Sequence, residues 1–389
     1  MNLVKPFKAI RPKKNLTATF VSQPFDFYTS NEIDFFLQKK PNSFLKIIRP
    51  KKNSSLLDKK KQFNKFLQKS ILIKDERKSY YIYSQIIAKK EYTGIICATN
   101  TSTISKGILK IHEKTLLKKE HKLKDYLKTV DINAEPVSLV YKDNHRLSSI
   151  INKIKALKEN LTFTTNNNAT HKLWIVNNYD LVNKITCILN KLNSFYIADG
   201  HHRSAASFRL AKELQKEESH NSHYFLSIFF NEKDISVHSF NRIILLKKKS
   251  KNIIGLLKEK FKVLKKMSYA QTALSKNEIG MYIDNQWYNL IPKSNTNLTG
   301  SETLDAKILP LLNLNAQSKE IQYISNIKGG VFLEKKAKED KSIAFKLHPI
   351  TFNDVILTSD KGKTLPPKST WIEPKLLSGL TIFDLEINE

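Results

Sequence analysis

The sequence predicts a compact α/β protein of mixed α+β type, from three observations. Strand-sized apolar runs such as YFLSIFF at 224–230 and SFYIA at 194–198 alternate with segments whose apolar residues recur at helical spacing. At 389 residues and 40% hydrophobic content, the chain is long enough for two or three domains that bury cores of their own. No internal repeat, heptad run or long low-complexity linker breaks the pattern.

In chain order, residues 1–50 alternate short extended pieces with a helix opened by Thr29 or Ser30 as cap, with Glu32 near its first turn. A lysine-rich helical stretch follows at 54–70. Strands are expected at YYIYSQII (80–87) and TGIICAT (93–99), then GILKIHEKT at 107–115 leads into a polar helix reaching about residue 129. PVSLVYK (136–142), LWIV (173–176) and SFYIA (194–198) read as further strands with helices between them, and YFLSIFF and SVHSFNRIILL (236–246) close the larger region. After a lysine-rich connection at 247–252, the remainder holds another helix and short strands, ending in the Pro-rich LPPKSTWIEPK. The expected division is therefore 1–250, an N-terminal and central region, and 251–389, a C-terminal α+β region that carries the PPKST loop.

Composition narrows the function classes. No run is long enough to cross a bilayer, and MNLVKPFKAIRPKKN offers no apolar core or cleavage site, so neither a span nor a signal peptide is expected. Cys97 and Cys187 alone make neither a disulfide framework nor a cysteine metal site, which fits a reducing cytoplasm. The net charge of +30 invites a nucleic-acid reading. Yet of 66 basic residues only seven are Arg, at 11, 49, 77, 146, 203, 209 and 242, and the lysines are spread along the whole chain. A surface that reads nucleic acid draws on the bidentate Arg fork and gathers its charge on one element, so no nucleic-acid partner is expected. Where Lys is the default cation, an Arg marks a position that needs the planar fork.

Arg203 stands in such a position. In FYIADGHHRSAAS (195–207) a buried-type strand turns through Asp199 and Gly200 directly into a helix, on which Ala206, Leu210 and Leu214 form an apolar stripe. Gly200 lets the backbone turn tightly, and the amides and dipole of the first helical turn favour an anion. Arg203 adds a fork matched to phosphate oxygens. A plain Asp cap with surface histidines is the bland alternative. Two adjacent histidines between an Asp and an Arg at such a junction favour function. His201 and His202 project in different directions and lack a third histidine at ligand spacing, so zinc is set aside. A magnesium ion brought in by a nucleotide needs only one or two carboxylates, such as Asp199.

His112 and Glu113 pair an imidazole with a possible base just before a helix, where a lone Glu otherwise complements the dipole. The run PPKST at 366–370 ends like a P-loop but lacks its glycines and its strand-to-helix context, so a Walker site is rejected. It leaves one cation and two hydroxyls on a Pro-framed loop, suited to phosphate contact or plain loop structure alike.

Taken in order, VKPFKAIRP (4–12), QPFDFYTSNE (23–32), KIHEKT (110–115), HKLWIV (171–176), IADGHHRSAA (197–206) and LPPKSTWIEPKLLSGL (365–380) resemble the domain-of-unknown-function family numbered 1015 almost end to end. Within that pattern FDFYTS replaces a more usual Tyr-Asp-Val-Ile-Ser run, and Asn241 stands where a His often precedes Arg242. More distantly, His112-Glu113, Asp199 to Arg203 and Pro367 to Thr370 resemble, in the same order, the His-Glu pair, Asp-Gly-His-His-Arg turn and Pro-Lys-Thr-Thr-like loop of the free L-serine kinases. The interval of 86 positions from Glu113 to Asp199 is wider than in those compact kinases. This resemblance implies a ParB/sulfiredoxin-like core with a mixed sheet and flanking helices. It implies ATP or ADP as donor, Mg2+ as cofactor, and free serine, or a similar small hydroxyl metabolite, as acceptor. The implied catalytic set is Glu113, Asp199 and His202, with Asp199 also on the metal. Gly200, His201, Arg203, Lys368, Ser369 and Thr370 would take the phosphates, and His112 and Arg242 the acceptor. The expectation is a phosphotransferase that makes O-phosphoserine. Its rivals are a ParB-like nucleotide switch acting on DNA, for which no recognition helix is evident, and a nucleotide sensor without chemistry.

Overall fold

In the computed structural model the described residues are 2–166, 168–245, 252–266, 275–276, 278–294, 298–366 and 368–386. They form a mixed α+β fold that divides into two units, Met1–Ile235 with Pro374–Glu389, and Ser236–Glu373. The division thus falls at 235 rather than near 250, and the last residues return to the first unit. Backbone pairing explains this. Strand Ser236–Ile244 is laddered to Ile321–Ser325, Ile343–Leu347 and Thr370–Glu373, all in the second unit. The C-terminal strand Phe383–Asp384 pairs with Ile132–Asn133 in the first. The lysine-rich connection before Asn252, and Pro367, lie outside the described residues.

The first unit is built on one sheet whose strands run in the order Leu109–Lys110, Phe195–Asp199, Val137–Tyr141, Tyr224–Asn231, Lys90–Asn100, Tyr80–Ile87, Thr170–Val176 and Leu161–Thr164. Val4–Lys5 pairs with Lys90–Asn100 off this path. Most neighbours are antiparallel, but Leu109–Lys110 with Phe195–Asp199 and Val137–Tyr141 with Tyr224–Asn231 are parallel. Tyr224–Asn231 is buried along its whole length, which explains why it reads as a continuous apolar run rather than an alternating one. Phe225 and Phe229 from it join Ile95, Cys97, Leu139 and Phe195 in the central core.

Helix starts follow local chemistry. Thr29 caps helix Ser30–Lys39 in a reciprocal capping box with Glu32, and Ser55 does the same with Asp58 for Leu56–Gln68. The polar helix Leu117–Val130 packs beside His201–Leu214. Glu213 takes Lys124 and Lys128, and buried Glu120 takes Arg209, so the two helices are tied by ion pairs as well as packing. No helix among the described residues is long and apolar enough to cross a membrane.

The second unit has its own sheet, in the order Phe261–Lys266, Gln286–Pro292, Ile279–Ile283, Ile343–Leu347, Ser236–Ile244 and Ile321–Ser325. Phe261, Met281, Leu290, Leu304 and Phe345 lie in its core.

Candidate functional site

Two neighbouring parallel strands build the site. Phe195 pairs with Leu109 and Tyr196 with Lys110, so both strands deliver their following loops to the same edge of the sheet. Ligand sites gather at such carboxyl ends, where one loop opens a helix. Here one loop is Asp199-Gly200 entering helix His201–Leu214, and the other is the IHEKT segment entering Leu117–Val130.

The second loop is laid on the first turn of the helix. The His112 amide donates to His201 Nε2 at 3.5 Å, and the two imidazoles meet edge to face with centroids 4.6 Å apart. The Leu116 amide donates to His202 Nε2 at 3.0 Å. Both helix histidines therefore present an unprotonated Nε2 to this loop. Half-buried Glu113 lies between these anchors, which brings it to the turn despite the long interval in sequence.

Gly200 takes φ +103°, a backbone that L side chains rarely adopt, and the Arg203 guanidinium folds over it. Arg203 Nη2 donates to Asp199 Oδ2 at 2.7 Å and Nη1 to the Pro136 carbonyl at 2.8 Å. The fork expected on phosphate thus already spans two protein acceptors. Lys375 Nζ stands 3.5 Å from the other Asp199 oxygen. Burial pushes the Asp199 carboxyl up, but Lys375 and Arg203 outweigh it and hold it down at about 2. The side chain keeps 45% exposure, so water screens part of that field. With both oxygens turned to cations, Asp199 is not part of a ready-made metal cage, and no group of three or more metal-ligating side chains occurs among the described residues.

His112 is 1% exposed. Burial lowers it to about 4, against the pull of Asp199, and burial together with His112 lowers His201 well below the ordinary value. Both rings are neutral at pH 7. A histidine lowered in the folded state contributes stability that is complete above about pH 6.5 and is lost as pH falls through about 4. For His112 the loss between about pH 7 and pH 4.5 is about 2–3 kcal/mol. Urea unfolding at those two pH values checks it: His112→Gln should shrink the wild-type difference by that amount, and an unchanged difference would remove His112 as its source. His171, stacked between Phe163 and Tyr83 in the sheet, is also lowered by burial to about 4 and keeps its own share in the variant.

Of the residues singled out from sequence, His112, Glu113, Asp199, Gly200, His201, His202 and Arg203 come together in the first unit. Arg242, Lys368, Ser369 and Thr370 belong to the second. Arg242 is 1% exposed, donates from Nη1 to the Phe240 carbonyl at 2.6 Å and stacks on Tyr323 at 4.3 Å. Ser369 is buried and donates to the Pro366 carbonyl at 2.7 Å, while Lys368 lies over the Phe240 ring at 5.6 Å. Thr370 begins a strand and pairs with Ser239. Lys375 escapes a reading of the sequence: one more lysine in so lysine-rich a chain carries no local signal. The Pro136 carbonyl, being backbone, carries none either.

Among solved structures, the chain is similar to a free serine kinase in complex with AMP, at 14% identity and a TM-score of 0.40 over 75% of this chain and 91% of that one. A free serine kinase mutant in complex with ADP gives 14% identity and 0.40 over 77% and 94%. SbnI with C-terminal truncation, from Staphylococcus aureus, gives 11% and 0.40 over 73% and 85%. No curated protein matches the chain. A family model matches residues 4–313, most of the chain, and the protein therefore belongs to the family described as "Protein of unknown function (DUF1015)".

Proposed function

We propose that the chain transfers the terminal phosphoryl group of a nucleotide to the hydroxyl of free L-serine, or of a similar small alcohol, giving O-phosphoserine. The observation that carries this reading is the laying of the His112-Glu113 loop on the first turn of the Asp199 to Arg203 helix. It holds the Glu113 backbone beside an anion-favouring helix start flanked by Arg203 and Lys375. The ordered motif resemblance to free serine kinases points the same way.

In the proposed reaction the serine oxygen attacks the terminal phosphorus, the bond from that phosphorus to the leaving nucleotide oxygen breaks, and the hydroxyl proton passes to Glu113. Phosphoryl transfer asks the protein mainly for in-line positioning and for positive charge on the equatorial oxygens. Lys375 and the helix dipole supply the charge, and His202 holds the Glu113 loop through the Leu116 amide. Magnesium enters as part of the nucleotide substrate. Arg242, Lys368, Ser369 and Thr370 carry no step in this reading.

Incubation of the purified chain with ATP or ADP, Mg2+ and serine, followed by mass detection of phosphoserine, tests the proposal. Phosphoserine with one donor supports it; none with either donor overturns the serine assignment. Nucleotide binding without turnover on any small hydroxyl compound would make the chain a sensor.

A further inference from the structure

A cavity of about 410 Å³ opens in the first unit, with Arg203 among its wall residues. Its walls are mostly apolar, with Phe25, Phe44, Leu123 and Tyr126 prominent among them. Three lysines, Lys59, Lys119 and Lys122, also line it, and among the described residues none of them is ion-paired. The acid in the wall, Glu135, accepts a hydrogen bond from the Ser378 hydroxyl at 3.0 Å. The hydroxyl of Tyr126 is buried with no hydrogen-bond partner.

Such a lining is costly without a ligand. Like charges gathered on an apolar surface repel and lose solvation, and the Lys59 ammonium is lowered by burial and by Lys122. An anion with a flat apolar body would relieve this cost, by covering the aromatic walls and neutralising the lysines. The volume suits a small ligand or cofactor.

The cavity is also assembled from segments that the turn itself does not use. Pro24 and Phe25 come from QPFDFYTSNE. The LLSGL end of the C-terminal motif braces the opposite wall: the Gly379 amide donates to the Ala134 carbonyl at 2.9 Å, and the ring of Phe44 packs so close to Gly379 that an added Cβ would stand 2.8 Å from it.

We infer that this cavity holds the base and ribose of a nucleoside phosphate, whose phosphates pass Arg203 to the Asp199-Gly200 turn. The inference rests on the proposed phosphotransferase reading and places its nucleotide. Phe25, 36% exposed, stacks on the base, and the lysines draw the anion in.

Calorimetric titration of the full chain with ADP, GDP and inorganic pyrophosphate tests it. At least one nucleotide should bind 10-fold or more tightly than pyrophosphate, because only it fills the cavity. Leu123→Trp, which fills the space, should abolish that advantage and leave pyrophosphate binding within about twofold. If that variant does not fold, Phe25→Ala, at an exposed position, should lower nucleotide affinity about 10-fold with pyrophosphate again unchanged. Nucleotide binding that is untouched by the variants, or no tighter than pyrophosphate in the wild type, overturns the cavity as the nucleoside site and leaves the kinase reading standing. Failure of the wild type to bind any nucleotide overturns both.

Discussion

Replacing Glu113 by Gln is expected to lower kcat for phosphoserine formation by about 10²–10⁴, the contribution of a positioned general base. The amide keeps the size and polarity of the side chain but takes no proton at the pH of reaction. Nucleotide affinity should stay within about twofold, since in the proposed reading the phosphates are held by the helix start and Lys375 rather than by Glu113. A half-buried, loop-borne position makes the fold insensitive to the change, so melting should move by no more than a degree or two. Full turnover in the variant would remove Glu113 as the base. Turnover lost together with nucleotide binding would make it a binding group.

Gly200→Ala is expected to cost about 3 kcal/mol of stability and most of the activity, for two reasons. The backbone at φ +103° lies outside even the small left-handed region that Ala tolerates, and the added methyl would stand 3.0 Å from Arg203 Nε and Nη2. Arg203 must then give by a few tenths of an ångström, which loosens its hold on Asp199 and the Pro136 carbonyl. Gly107→Ala is the control. It has φ +66° with nothing within 4 Å of an added methyl, so only the backbone cost of about 1 kcal/mol applies. Chemical denaturation of both variants gives a difference that combines the extra backbone strain at φ +103° with any displacement of Arg203. Equal losses would show that neither costs stability, and the activity should then survive.

The sequence was most legible where one local rule dominates. The Thr29 cap with Glu32 and the wholly buried strand Tyr224–Asn231 appear where residue type placed them, because a cap or an unbroken apolar run is decided within a few residues. The short pairs Ile10–Pro12 with Leu72–Lys74 and Ile132–Asn133 with Phe383–Asp384 were not legible. Two or three residues show no periodicity, and their partners are far away in sequence. The unit boundary failed for a related reason. A lysine-rich connection looked like a linker, yet strand Ser236–Ile244 takes its partners from the chain beyond 320.

For the candidate site, sequence alone determined the mixed fold class and the turn at Asp199-Gly200. A strand, a glycine and an amphipathic helix in succession permit little else, and adjacent histidines beside an Asp and an Arg mark the spot. Only the tertiary structure decided what surrounds that turn. Parallel pairing of Leu109–Lys110 with Phe195–Asp199 brings His112 and Glu113 onto it, and the returning C-terminus supplies Lys375 to Asp199. The same folding commits Arg203 to Asp199 and the Pro136 carbonyl rather than leaving it an open fork. Such neighbours are set by long-range register and by burial, which lowers His112 and His201 and which no residue's own identity records.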